Sequence, residues 1–126
     1  MRSDKPEAAE EARGEAGVLS RLLSLVFGFL VWIMHFVAIY AATAVACVLG
    51  LGAADAGARS TFVTALVIVT VAAAALVVLH ALKTYRRRDE APNRRFLSGI
   101  TIGHDAIATV GILYQVFPIF MVPVCQ

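Results

Sequence analysis

Seven side chains stand out as able to do chemistry in a chain of 126 residues that is 60% hydrophobic and 16% charged. They are the cysteines Cys47 and Cys125, the histidines His35, His80 and His104, and the polar residues Asp105 and Gln115. Two thiols invite a disulfide if they meet in an oxidising compartment. Met121 lies four residues before Cys125, and a thioether with a thiolate suits Cu(I), although Pro123 between them disturbs helical spacing. Imidazoles facing one another at equal depth could ligate haem. A carboxylate inside an apolar helix is costly unless paired, hydrated or protonated. Asp105 therefore marks either a hydrogen bond that fixes helix packing or a place where a proton or ligand is handled.

On a helical wheel, His35 shares a face with Ala38, Ala42 and Ala46, a small-residue seam suited to close helix packing. Trp32, Phe36 and Tyr40 form an aromatic stripe beside it. His104, Ala108, Gly111 and Gln115 fall on one face of a later segment, flanked by Thr101 and Asp105. His35, His104, Asp105 and Gln115 are thus the expected intramembrane polar site. His80, three residues before Lys83, reads as an interfacial histidine with no special role. His35 lies 12 residues below Cys47 and His104 lies 21 below Cys125. Helical rise turns that difference into about 13 Å of depth, which argues against a bis-histidine haem site. No cofactor is expected, with haem b and copper as the lesser alternatives.

The elements that must position these residues follow from the charge distribution. Leu22–Leu51 and Thr61–Leu82 hold no Asp, Glu, Lys or Arg, and Phe96–Val124 holds only Asp105. Each run meets the requirement of about 20 apolar residues for a bilayer-spanning helix. The expected fold is an all-α membrane protein with three transmembrane helices at about 22–51, 61–83 and 96–122, forming a domain over 22–126. A mobile polar arm over residues 1–21 precedes it. The first apolar run is far longer than the roughly 7–15 residues of a signal peptide, so it reads as a retained helix.

Basic residues orient the helices. The second loop carries Lys83, Arg86, Arg87, Arg88, Arg94 and Arg95, and the arm carries four more. The first loop has only Arg59, and the C-terminus has none. The positive-inside rule puts the N-terminus and second loop in the cytoplasm, with the first loop and C-terminus on the periplasmic or external side of a bacterial inner membrane. The arginines are topology anchors that contact lipid phosphates, and nucleic acid is not an expected partner. This orientation places Cys47 and Cys125 at one oxidising face. A bridge there would close a loop of nearly 80 residues, worth about 4 kcal/mol on the chain-entropy account. The alternative is two separate small core residues.

The pattern Trp32-x-x-His35-Phe36-x-x-x-Tyr40 followed by Cys47, then His104-Asp105, Pro118 and Pro123-x-Cys125, resembles small three-helix bacterial inner-membrane proteins associated with haem-copper (cytochrome c type) terminal oxidases. The resemblance covers the three helices and not the arm, and it implies a respiratory-chain setting. The leading expectation is a non-catalytic accessory subunit or assembly factor of a membrane respiratory complex. Its partners would be the lipid bilayer and larger membrane subunits, or further copies of the chain. One alternative is a redox or metal-handling protein using Cys47, Cys125 and Met121 outside, or His35 and His104 within. Another is a small oligomeric transporter or channel lined by Asp105, His104 and Gln115. The sequence presents no catalytic triad, metal cluster or phosphate-cradling glycine loop, so no autonomous enzyme is expected.

Overall fold

A computed structural model describes residues 4–50, 55–87 and 94–121. The chain is an all-α, multi-pass membrane protein, with no strand among the described residues. Helix α1 spans Asp4–Val48, α2 spans Ala56–Arg86, α3 spans Arg94–Tyr114 and a short α4 spans Val116–Met121. Three stretches are long and apolar enough to cross a membrane, namely Ala12–Val48, Ala56–Arg86 and Arg95–Pro118.

The helix ends have local causes. Residues 4–21, expected as a separate polar arm, are the first turns of α1. Ala, Glu and Arg are strong helix formers, and Pro6 sits in the first turn, where its missing N–H has no carbonyl to serve. At 1.5 Å per residue, the 45 residues of α1 extend about 68 Å, twice a hydrocarbon core, so its charged start projects beyond the span. Gly50 ends α1 in the left-handed region at φ 71°. Helix α2 begins five residues earlier than its apolar run because Asp55 caps it, accepting a bond from the Ala58 N–H at 3.0 Å. Helix α3, expected to run unbroken to about residue 122, stops at Tyr114. Pro118 is the reason: its ring excludes the Tyr114 carbonyl four residues back, and it has no N–H to offer that carbonyl. The Gln115 N–H instead divides between the carbonyls of Gly111 and Ile112, at 3.3 Å each.

Contacts between Ser24 and His80 and between His35 and Thr70 set α1 antiparallel to α2. Gly28 against Asp105 and Trp32 against Gly111 set α1 parallel to α3. Helix α3 is the central member and packs on both others more extensively than they pack on each other. Its buried residues Ser98, Thr101, Asp105, Ala108 and Ile112 alternate three- and four-residue steps, the spacing of a left-handed bundle seam. The apolar core is Ala74, Val77, Ala108 and Ile112, flanked by Val31, Trp32 and Ala73.

The alanine seam needs a correction. Ala46 is buried and Ala42 half-buried, but Ala38 is exposed. Four-residue steps precess by about 40° each on a 3.6-residue helix, so within this bundle Ala38 turns out of the contact that Ala46 makes. The seam of α1 instead runs through Gly28, His35, Ile39 and Ala46, in steps of seven and four.

Candidate functional site

Two polar layers tie α1, α2 and α3 together, the first through one residue from each helix and the second through α1, α2 and the turn that follows α3. In the first, His80 of α2 is central. Its Nδ1 lies 2.8 Å from Oδ2 of Asp105 on α3, and its Nε2 lies 3.2 Å from Oγ of Ser24 on α1. Phe27 covers the imidazole, with ring centroids 4.4 Å apart. Asp105 is fully buried. Its Oδ1 rests against Gly28, where a methyl group would collide with it, and has no hydrogen-bond partner among the described residues.

In the second layer, His35 of α1 is central and 4% exposed. Its Nδ1 lies 2.6 Å from Oε1 of Gln115, and its Nε2 lies 3.0 Å from Oγ1 of Thr70 on α2. The Thr70 hydroxyl donates to the Leu66 carbonyl at 2.8 Å, so its oxygen accepts from His35 Nε2–H. A neutral imidazole then accepts at Nδ1 from the Gln115 NH₂ once that amide is turned over. The turn at Gln115 brings its side chain to His35, so the helix break imposed by Pro118 helps to build this layer.

His80 and Thr70 are ten residues apart, as are Asp105 and Gln115, or about 15 Å along a helix. Between them lies the apolar core of Ala74, Val77, Ala108 and Ile112, with Trp32 beside it. The Trp32 indole N–H is buried against Gly111 and also lacks an acceptor among the described residues. Outside, Phe29, Trp32, Phe36 and Tyr40 form a ladder of neighbouring rings down α1.

The structure divides the expected polar site. His35 meets Gln115, and Asp105 meets His80, which by sequence alone reads as an interfacial residue without a role. His104 joins neither layer. It is exposed on the outer face of α3, with Nδ1 lying 3.0 Å from the Ile100 carbonyl oxygen. Adjacent helical residues lie about 100° apart, so turning Asp105 into the bundle turns His104 out of it. Thr70 and Ser24, the remaining members, were missed because hydroxyls are common in apolar helices and carry little signal alone.

Ser24, His80 and Asp105 reproduce the connectivity of a Ser-His-Asp triad, which the sequence did not reveal. A second requirement is lacking among the described residues. Ser24 lies within the continuous helix α1, whose backbone N–H groups are committed to carbonyls four residues back, so none is presented as an oxyanion-hole donor. The arrangement can hold and pass a proton. Both ring nitrogens of His35 and of His80 are engaged, so haem ligation by either would require breaking a layer. No group of three or more metal-ligating side chains occurs among the described residues.

Cys47 lies in the last turn of α1. Cys125 and Arg88 lie outside the described residues, as do the side chains of Arg94 and Met121. Lys83, Arg86, Arg87 and Arg95 are exposed around the second loop. Compared with known protein families, curated proteins and solved structures, the chain matches none.

Proposed function

We propose that this protein is a non-catalytic accessory subunit or assembly factor of a membrane respiratory complex, with a haem-copper terminal oxidase as the leading partner. The observation that carries the reading is His104. It projects from the outer face of α3 beside the fully buried Asp105, with its Nε2 unengaged among the described residues. Ionisable side chains at such depth almost always face protein or water, so an outward imidazole calls for a neighbouring protein surface. Gly99 and Gly103, one turn apart on α3, have open space where a side chain would be, and such small-x-x-x-small pairs let a second helix approach closely. The terminal-oxidase identity rests on the sequence resemblance.

The polar interior favours this reading over a channel within one bundle. Asp105 and Gln115 lie in separate layers with a packed apolar core between them, and His104 lies outside both. Charge bias supports an orientation with the N-terminus and second loop in the cytoplasm, and the sequence resemblance supports a bacterial inner-membrane location. Under that orientation, Cys47 and Cys125 share the oxidising side and form a disulfide.

Affinity purification from native membranes in mild detergent tests the proposal. Recovery of oxidase subunits with the chain, and loss of that recovery in His104→Leu, is the expected outcome. Recovery of the chain alone contradicts it. A haem absorption band or stoichiometric copper in the isolated chain would favour the redox reading instead.

A further inference from the structure

We propose that Ser24, His80 and Asp105 form a one-sided proton relay, in which a proton entering at Ser24 from the second-loop end of the bundle is stored on Asp105. Three side chains from three helices form an unbroken chain, Ser24 Oγ to His80 Nε2 at 3.2 Å and His80 Nδ1 to Asp105 Oδ2 at 2.8 Å. Such a chain accommodates one proton without losing a bond. In the unloaded state, the Ser24 hydroxyl donates to Nε2 and the Nδ1–H donates to the Asp105 carboxylate. A proton from hydronium binds Ser24 Oγ, the original hydroxyl proton moves to Nε2, and the Nδ1 proton moves to Oδ2. In the loaded state, the Asp105 acid donates to Nδ1 and Nε2–H donates to Ser24 Oγ. One proton has been gained, the layer has gone from a charge of −1 to zero, and the imidazole has exchanged one neutral tautomer for the other.

Burial gives the relay its direction. Ser24 is half-buried, the His80 side chain is 20% exposed and Asp105 is 0% exposed. The charged residues nearest this layer along the helices are Arg21 on α1 and Lys83 on α2, each three residues away, and Arg95 on α3, ten residues away, all exposed and all toward the second loop, so the relay opens toward that end. From α3 the layer sees only Asp105, with Thr101 one turn nearer the second loop donating to the Leu97 carbonyl. Asp105 communicates through Oδ2 alone, because Oδ1 is closed off against Gly28. Beyond it, Val77, Ala108 and Ile112 block the way to the His35 layer. The proton therefore returns by the route it entered. This device lies within the chain and stands apart from any partner bound to its outer face.

The test uses the full chain in oriented liposomes. Infrared difference spectra follow the protonated carboxyl band between about pH 4 and pH 10, a range spanning ordinary carboxyl and imidazole titration. Nitrogen-15 spectra of His80 follow the tautomer. The relay predicts a carboxyl band that is lost in Asp105→Asn, and an Nδ1–H to Nε2–H exchange with the same midpoint as that band. It also predicts a rapid response to a pH jump on the second-loop side only, slowed in Ser24→Ala. A doubly protonated His80 would overturn it, because the proton would then stop on the imidazole. A wild-type rate in Ser24→Ala, a response from the opposite side, or no titration across the range would also overturn it. If Asp105→Asn fails to fold, the wild-type tautomer exchange decides alone.

Discussion

Nδ1 of His80 stands 2.8 Å from Oδ2 of Asp105, and this contact joins two helices near one end of the bundle as His35 joins them near the other. Asp105 is fully buried and His80 is partly exposed, so the members depend on each other unequally in free-energy terms. Removing the imidazole strands a carboxyl group in a dry interior, whereas removing both groups strands nothing. His80→Leu should destabilise the protein by about 3 kcal/mol, and His80→Leu with Asp105→Leu should cost less than the sum of the single changes. Unfolding in detergent followed by circular dichroism measures the cycle.

The glycines separate interior from exterior contact. A methyl at position 28 would strike the Asp105 carboxyl and come within 3.1 Å of its Cα, where backbone cannot give way cheaply. Gly28→Ala should therefore cost about 1–3 kcal/mol of stability. Gly103→Ala meets nothing within 4 Å, so the isolated chain should stay within about 0.5 kcal/mol of wild type while recovery of the partner falls. Thermal unfolding and co-purification of the same two variants check both halves.

Pro118 shapes the outer layer through the backbone. Pro118→Ala should let α3 continue through Gln115, carrying the amide away from His35. Hydrogen exchange at residues 115–118 should slow as the helix closes, and the nitrogen-15 signal of His35 should lose the Gln115 contact.

The cysteine pairing can be weighed directly. Non-reducing mass spectrometry of protein taken from native membranes should find the peptides of Cys47 and Cys125 joined. Cys47→Ser should lower stability by up to about 4 kcal/mol under oxidising conditions and have little effect in reductant. Separate peptides without reductant would leave the two cysteines as independent packing residues.

The span of each helix was legible in the sequence because bilayer insertion depends on length and charge exclusion, which can be read one segment at a time. Asp105 and His35 were legible as buried polar groups for the same reason. Their partners were not, because a helical wheel gives the direction of a side chain but not the residue across from it. A usable signal was present. His80 and Asp105 are equidistant in sequence from the Pro92–Asn93 midpoint of the second loop, and Thr70 and Gln115 are equidistant from it too. Antiparallel helices joined by a short loop place such mirror positions at equal depth. Depth counted from the second loop therefore pairs the residues, whereas depth counted from the cysteines across α1 and α3 did not. His104 was drawn into the polar site by its neighbour. Of two adjacent groups, the carboxyl is the costlier to leave in lipid, so it takes the interior and sends the imidazole out.

The outward face of α3 carries the functional proposal, and a photo-crosslinking amino acid placed at position 104 in living cells examines it most directly. The expected adduct is to a terminal-oxidase subunit, formed from position 104 and absent from the exposed position 69 on α2. Adducts to lipid alone from position 104 would contradict the proposal.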